Sequence, residues 1–272
     1  MITLKSPREI KMMWKSGQIL AGVHKGLHKL IKPGIDTWDI EEFANHYIRD
    51  HGAFPSQIGF DGYKYATCIS INDEVAHGIP RKGLKLKDDD VVKVDMCVNY
   101  KGFESDSCWC YGVGKCSKEV EHLMAVCHDA MYKGIEQAQP GNRLGDIGYA
   151  CQHYIEDVNH MGDVKELIGH GIQPSIHEKP NVPAYGEKGQ GLLIKPGMTF
   201  TIEPMVILGG TWHIKEHYVK KDDWTYYMSA DGTKSAQYEA TLAITKNGPW
   251  LLTSQDHKYD KKFMPDWVKD AD

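Results

Sequence analysis

Apolar residues recur at helical spacing near the start of the chain and again in its middle. The candidate core positions of the first stretch, residues 7–31, are Ile10, Met13, Trp14, Leu20, Leu27 and Leu30. A second long helix is predicted near 117–138, where Ser117 precedes two acidic residues, as is common at helix starts. Runs rich in β-branched residues predict strands near 67–71, 91–98, 102–112 and 236–245.

The chain repeats part of its own sequence, with matching residues 107 positions apart. The first copy contains Pro33-Gly34, Asp39-Ile40, His46-Tyr47-Ile48 and Asp50, and the second contains Pro140-Gly141, Asp146-Ile147, His153-Tyr154-Ile155 and Asp157. Each copy predicts a helix after a Pro-Gly turn. The apolar stripes of these helices are Ile40, Phe43, Tyr47 and Ile48, and Ile147, Cys151, Tyr154 and Ile155.

The repeat continues into a pair of strands. Residues 91–98 and 198–206 are both rich in β-branched residues, and an offset of 108 aligns Asp95 with Glu203. Helices mixed with antiparallel strands, present twice, predict an α+β fold of two halves related by a pseudo-twofold axis. We expect a single catalytic domain over 1–252, with halves at about 7–115 and 116–252, followed by a polar tail at 253–272.

Composition narrows the function classes. The 272 residues are 41% hydrophobic and 25% charged, with a net charge of −5, so neither nucleic acid nor a membrane is expected as the main partner. The N-terminus has no signal-peptide pattern. The seven cysteines are odd in number and scattered, which predicts free thiols packed in or beside strands, in a reducing cytoplasm. No coiled-coil pattern is present, and a monomer is expected.

Several polar residues, considered one at a time, have a structural explanation that requires no function. Asp95 alternates with apolar neighbours like a solvent-facing strand residue, Asp106 resembles a turn residue, and His170 between two glycines resembles a structural histidine. The repeat changes this interpretation, because Asp95 and Glu203 occupy equivalent strands and Asp106 and Glu239 follow them. Converging carboxylates repel one another unless cations lie between them. Four carboxylates with one imidazole suit two bridged divalent ions better than one structural zinc.

Two further histidines occur in matching tetrapeptides, His77-Gly78-Ile79-Pro80 and His177-Glu178-Lys179-Pro180. They come from opposite halves of the chain, so both can flank a site that lies between the halves. A loop histidine without a role is the ordinary alternative. As neutral imidazoles, they would exchange hydrogen bonds with a peptide group.

These motifs together resemble the bacterial type I methionine aminopeptidases of the pita-bread fold. The matching segments are Cys68-Ile69-Ser70-Ile71-Asn72, His77-Gly78-Ile79-Pro80, Asp95 with Asp106, Gly169-His170-Gly171-Ile172, His177-Glu178-Lys179-Pro180, Phe200-Thr201-Ile202-Glu203-Pro204-Met205 and Ser235-Ala236-Gln237-Tyr238-Glu239. They are in family order and span about residues 7–252. The zinc-finger extension and the long insertion between Glu203 and Glu239 that mark other types of the family are not expected here.

The resemblance implies roles for these residues. Asp95 and Asp106 would hold one metal ion, His170 and Glu203 the other, and Asp106 and Glu239 would bridge the two. The ions would be Co²⁺, Mn²⁺, Fe²⁺ or Zn²⁺. Glu203 would also move the proton of the attacking water, His77 would contact the scissile amide, and His177 the carbonyl oxygen. The methionine pocket would be lined by Phe60, Tyr63, Cys68, Ile176 and Trp224.

Three positions depart from the family pattern. Gln57 aligns with a common pocket cysteine, Ile176 with a common aromatic residue, and Ala240 with the usual histidine. The implied substrates are peptides with an N-terminal methionine and a small second residue, such as nascent chains at the ribosome. The rival functions are an aminopeptidase P or prolidase, which usually carries a separate N-terminal domain, and a metal-free binding protein, which would be expected to lack some of the five ligands.

Overall fold

Two helices followed by a group of antiparallel strands occur twice along the chain. The computed structural model describes residues 2–265. The first half contains, in order, α1 (Pro7–Leu30), α2 (Thr37–Asp50), β1 (Phe54–Pro55), β2 (Cys68–Ile71), β3 (Glu74–Ala76), β4 (Val91–Tyr100) and β5 (Phe103–Gly112). The second half contains α3 (Lys118–Gln137), α4 (Leu144–Gln152), β6 (Gly162–Asp163), β7 (Gly169–Gly171), β8 (Glu178–Val182), β9 (Thr199–Ile202), β10 (Met205–Ile207), β11 (Ile214–Val219), β12 (Trp224–Ser229), β13 (Ser235–Gln237), β14 (Ala240–Thr245) and β15 (Gly248–Leu251). This confirms the predicted α+β class.

Helix α1 begins at a capping box. The Ser6 backbone N–H donates to Glu9 Oε2 at 2.7 Å, and the Glu9 N–H donates to Ser6 Oγ at 3.4 Å, so both helix-end donors have acceptors. The predicted positions Ile10, Met13, Leu20 and Leu27 are buried, whereas Trp14 and Leu30 are partly buried against the core. The apolar spacing therefore identified the buried face of this helix correctly.

The sequence repeat is also a structural repeat. Helix α2 begins at Thr37 and α4 begins at Leu144, 107 residues later. The second copy differs at its end, because residues His153–Val158 form a π-helical turn. Ile155 of this turn remains buried in the core, so the apolar stripe is retained although the hydrogen-bond spacing changes.

Each half covers one face of its own sheet with its own helices. Strand β4 pairs along its whole length with β5, from Val91–Gly112 to Tyr100–Phe103, and also pairs with β2 and β1. Its apolar side chains pack with those of α1 and α2 in one cluster. The second sheet has the order β15-β14-β9-β7-β8, and its apolar residues pack with α3 and α4. Strand β5 contacts β14 of this sheet, and β4 contacts β13, which belongs to a separate three-stranded sheet of order β13-β10-β6, so the strands of the two halves meet.

Two local predictions were wrong. The strand expected over 198–206 is interrupted between β9 and β10 at Glu203 and Pro204, because proline has no N–H to donate to a ladder. Cys127 and Cys151 lie in helices α3 and α4, not in or beside strands, and both pack in the core as small apolar residues. All seven cysteines are free thiols, as predicted.

The segment after β15 lies against the helices of both halves. His257 Nε2 lies 3.3 Å from Gln18 Oε1 of α1, and the Tyr259 ring lies 5.1 Å from that of Tyr132 on α3. Residues 266–272 of the predicted tail lie outside the described residues. Within residues 2–265, the structure has no helix that is both long and apolar enough to cross a membrane.

We expect Glu41→Ala to lower the free energy of unfolding by at least about 2 kcal/mol. The buried Glu41 carboxylate of α2 accepts from Ala66 N at 2.8 Å, from Thr67 N at 2.9 Å and from Thr67 Oγ1 at 2.5 Å. Each buried donor left without an acceptor costs about 1–3 kcal/mol. Urea unfolding followed by circular dichroism measures the change. The neighbouring exposed Glu42→Ala is the control, and equal effects of the two substitutions would contradict the prediction.

Candidate metal centre and substrate cavity

A cavity of about 650 Å³ opens between the two halves. Every residue that the sequence assigned to the site contributes to its lining. These residues are Phe60, Tyr63, Cys68, His77, Asp95, Asp106, His170, Ile176, His177, Glu203, Trp224 and Glu239. They come from segments as far apart as residues 60 and 239, so their convergence is a property of the fold.

The first half contributes Asp95 and Asp106 from one β-hairpin. Asp95 on β4 lies opposite Cys108 on β5, and Asp106 lies opposite Cys97. Residues opposite each other and residues two apart on a strand share a face of the sheet. The two carboxylates are therefore diagonal neighbours on the face that lines the cavity.

The second half contributes Glu203 and Glu239 from strand interruptions. On either side of these residues, Ala240 pairs with Ile202 and Gln237 pairs with Met205, and both pairs follow the same antiparallel register. Glu203 and Glu239 consequently lie opposite each other at the break between β9 and β10. The sequence anticipated equivalent strands for Asp95 and Glu203, but only the structure shows that the second-half pair leaves the regular ladder.

Hydrogen bonds join the carboxylate-bearing segments of the two halves. The Glu239 N–H donates to Cys108 O at 2.9 Å, and the Asp106 N–H donates to Thr241 Oγ1 at 3.0 Å. The same hydroxyl donates back to Asp106 O at 2.7 Å. Thr241 therefore fixes the backbone of Asp106 across the junction, a role that no sequence pattern predicted.

His170 on β7 faces the carboxylates through Nε2. Its Nδ1 lies 3.0 Å from Gly171 O, which favours the tautomer with the proton on Nδ1 and a free lone pair on Nε2. Nε2 lies 3.5 Å from Glu203 Oε1 and 3.8 Å from Asp106 Oδ2. A Cβ on Gly171 would lie 2.3 Å from Lys179 O, so glycine permits the close packing of β8 beside the histidine.

Thr201 supports both His170 and Glu203. Its hydroxyl accepts from the His170 N–H at 3.0 Å and donates to Glu203 Oε1 at 2.8 Å. Thr201 precedes Glu203 by two residues and shares its strand face, and this alternation is the signal that identifies such a residue from sequence. Cys97, opposite Asp106, also lines the cavity and was not anticipated.

The four carboxyl groups are in an environment that disfavours their combined negative charge. Burial raises the pKa of Asp106 to about 7 and that of Glu203 to about 8. Burial, followed by repulsion from Asp106, raises the pKa of both Asp95 and Glu239 well above the usual carboxyl range. Burial lowers the pKa of His170 to about 3, so its imidazole is neutral and able to bind a cation.

The donor set fits divalent metal ions. Three groups of donors have ligand atoms within 4.8 Å of one another: Asp95, Asp106 and Glu239; His170, Glu203 and Glu239; and Asp106, His170 and His177. Oδ1 of Asp95 and Oδ1 of Asp106 are buried and have no hydrogen-bond partner among the described residues. Buried carboxylate oxygens require a partner, and a cation would satisfy both.

Two histidines from opposite halves of the chain also line the cavity. His77 follows β3 with a φ of 60° and is held by Trp224, whose Nε1 donates to His77 O at 2.8 Å. The His177 ring lies 4.2 Å from that of His170. Burial lowers the pKa of His77 to about 4 and also lowers the pKa of His177. Both side chains are thus neutral near pH 7.

Aromatic side chains form the apolar part of the cavity. The Tyr63 ring lies 4.5 Å from Trp224, and the Phe60 ring meets His177 edge to face at 5.1 Å. Cys68 and Ile176 are buried beside them. Gln57 also enters this region: its Nε2 lies 3.7 Å from Cys68 Sγ, and its Oε1 is buried without a hydrogen-bond partner among the described residues.

Comparison with known proteins identifies relatives that match almost the whole chain. The model of metallopeptidase family M24 matches residues 11–246. Methionine aminopeptidase 1 of Bacillus subtilis is 40% identical over 93% of this chain and 99% of its own length. The enzyme of Clostridium perfringens is 42% identical over 93% of this chain and 99% of its own length.

Solved structures agree with the sequence comparison. The crystal structure of methionine aminopeptidase from Thermotoga maritima superimposes with a TM-score of 0.88 at 37% identity, covering 93% of this chain and all of that one (100%). A prolidase from Pyrococcus furiosus has a TM-score of 0.72 at 21% identity over 92% of this chain and 65% of that one, which shows a common fold alone. The chain therefore belongs to metallopeptidase family M24 and has the pita-bread fold.

Proposed function

We propose that this protein is a metalloaminopeptidase that removes the N-terminal methionine from polypeptides whose second residue is small. The observation that carries the proposal is full-length similarity to methionine aminopeptidases, combined with a cavity that joins five metal-type ligands to an apolar pocket. A prolidase-type function is not favoured, because relatives of that kind resemble this chain far less in sequence.

We assign Asp95 and Asp106 as residues that would hold one divalent ion and His170 and Glu203 as residues that would hold a second, with Asp106 and Glu239 available to both. The ions are Co²⁺, Mn²⁺, Fe²⁺ or Zn²⁺. The bound metal supplies Lewis acidity and lowers the pKa of water so that hydroxide is available near neutral pH. The imidazole of His177 also lies near the donor atoms of Asp106 and His170. We assign His177 to the substrate and His170 to the metal, because His177 is the more exposed of these two histidines.

The residues around the ions perform the proton transfers and hold the peptide. Glu203 takes a proton from the attacking water and delivers it to the amine that leaves when the peptide C–N bond breaks. Thr201 holds Oε1 of Glu203 at 2.8 Å, which orients the carboxylate for both transfers. The neutral His77 and His177 hydrogen-bond to the scissile amide and to its carbonyl oxygen, and a donor at that oxygen stabilises the charge developing there.

The apolar end of the cavity accepts the methionine side chain. Phe60, Tyr63 and Trp224 offer aromatic edges, which interact favourably with thioether sulfur, while Cys68 and Ile176 complete the walls. We further propose that residues 1–252 act as one catalytic domain, that the protein works as a cytoplasmic monomer, and that its substrates include nascent chains at the ribosome.

Peptidase activity is expected to vanish on chelation and to return with Co²⁺, Mn²⁺ or Fe²⁺. Without cations, the four carboxyl groups retain protons or repel one another, and no activated water is available. The measurement is release of free methionine from a Met-Ala-Ser peptide before and after treatment with a chelator. Full activity in protein shown by elemental analysis to be metal-free would disprove the assignment.

Substitutions should separate metal ligands from substrate-binding residues. Asp106→Ala is expected to weaken metal retention, because a shared carboxylate is lost. His77→Ala should retain metal but turn over roughly 10² to 10³ times more slowly, which is the usual effect of losing one charge-stabilising donor. Metal content by mass spectrometry and kcat for the same peptide distinguish the two. Loss of metal from His77→Ala would show that its assigned role is wrong.

The first-residue preference should be methionine, then norleucine, then leucine, with a second residue of Gly, Ala, Ser, Thr, Pro, Val or Cys. A shape-based pocket discriminates by only about 1–3 kcal/mol per methylene, so the near-isosteric norleucine is cleaved less well while branched leucine fits poorly. A panel of Xaa-Ala-Ser peptides compared by kcat/KM tests this order. Leucine or proline ahead of methionine would identify a different M24 peptidase.

A further inference from the structure

Lys93 is a charged residue at the centre of the protein. It lies on β4 with only 1% of its surface exposed. Its ammonium group donates to Asn72 O at 2.9 Å, to Ser235 O at 3.0 Å and to Ser235 Oγ at 3.2 Å. All three acceptors are uncharged oxygens, so the full complement of ammonium donors is satisfied without a carboxylate.

The acceptors belong to opposite halves of the chain. Asn72 lies in the turn between β2 and β3, and Ser235 begins β13. Besides the ammonium, Asn72 O accepts from Ser235 N at 2.9 Å and from Ser235 Oγ at 3.0 Å. The carbonyl groups of Asn72 and Ser235 thus both direct the negative ends of their dipoles at the Lys93 ammonium.

Each segment joined by the ammonium leads directly to a residue of the site. Lys93 precedes Asp95 by two residues on the same strand. The turn at Asn72 continues through β3 to His77, and β13 continues from Ser235 to Glu239. The Lys93 ammonium therefore joins the two halves by hydrogen bonds. These bonds lie within a few residues of Asp95, His77 and Glu239, which line the same cavity.

We propose that Lys93 is a positioning residue whose ammonium acts as a built-in cation, fixing the separation between the first-half and second-half ligands of the metal centre. This inference rests on the metal centre proposed above. It assigns Lys93 no contact with substrate or metal. Its effect is transmitted through the backbone of β4 and β13, in the way that outer-sphere groups orient metal ligands.

The test is the affinity of chelator-treated protein for Mn²⁺, measured by isothermal titration calorimetry. Lys93→Met keeps most of the side-chain volume and removes the charge. We expect Mn²⁺ binding to weaken by about 10-fold or more, within the usual range for loss of an outer-sphere partner. With Met-Ala-Ser peptide and saturating Mn²⁺, kcat should fall while KM changes little, because the aromatic residues of the methionine pocket, Phe60, Tyr63 and Trp224, lie on other segments.

Lys234→Met is the matched control. Lys234 also links the two halves, since its Nζ donates to Asp89 O at 2.5 Å and to Asp89 Oδ2 at 2.8 Å. It is half-exposed, and such ion pairs contribute little. We expect its Mn²⁺ affinity and kcat to stay within about twofold of the wild type, because the neighbouring Lys93 contacts remain in place.

Chemical rescue distinguishes an effect of the Lys93 charge from an effect of the packing of its side chain. Lys93→Ala removes three methylene groups and the ammonium, which n-propylammonium replaces. Its addition should restore part of the Mn²⁺ affinity of Lys93→Ala, whereas 1-propanol, which fills the same space without charge, should not. Equal rescue by both would mean that the residue acts by packing alone, and would overturn the proposal.

The remaining outcomes are also decisive. A folded Lys93→Met protein, with the wild-type unfolding midpoint and Mn²⁺ affinity within twofold of wild type, overturns the proposal. If Lys93→Met does not fold, Ser235→Ala takes its place: it removes one acceptor, and an unchanged Mn²⁺ affinity there overturns the proposal equally. Wild-type protein that binds no Mn²⁺ would instead refute the metal centre itself.

Discussion

Four carboxyl groups converge at the junction of the two halves, and the rest of the structure must hold them together against their mutual repulsion. Burial and proximity raise the pKa of each of them. Such a cluster is stable only where charge is balanced and where the backbone cannot separate. The cation-binding chemistry supplies the first condition, and the hydrogen bonds across the junction supply the second.

The two halves meet the second condition differently. In the first half, Asp95 and Asp106 lie in an uninterrupted ladder whose register makes them diagonal neighbours. In the second half, the ladder breaks at Pro204, and the Thr201 hydroxyl donates to Glu203 beside the break, while the Thr241 hydroxyl donates across the junction to Asp106 O. The first-half pair thus lies in a regular ladder, and both backbone and side-chain hydrogen bonds hold the second half to it.

The charged part and the apolar part of the cavity lie on different segments of the chain. The carboxylates occupy the junction, while the aromatic pocket lies on segments before β2 and around β12. The two histidines between them are neutral, since burial lowers the pKa of both. Neutral imidazoles beside the four carboxyl groups would allow a peptide group to approach without adding a further charge to the cavity.

The sequence by itself determined the helices, the repeat and a set of residues that line one cavity. The 107-residue offset placed the start of α4 correctly, and the apolar alternation identified the face of β4 that packs against α1 and α2. These features are local, because periodicity records which face a segment buries. The motif set extended this to residues from 60 to 239, all of which line one cavity.

Only the tertiary structure decided how the halves are joined. Thr241 and Lys93 are ordinary residues in sequence, and alternation placed Lys93 only on the face opposite Val92 and Val94. That face is covered by the second half, where its ammonium meets Ser235, 142 residues away. Whether a polar strand residue faces water or a partner depends on what packs over it, and the pattern of a single segment contains no information about distant chain.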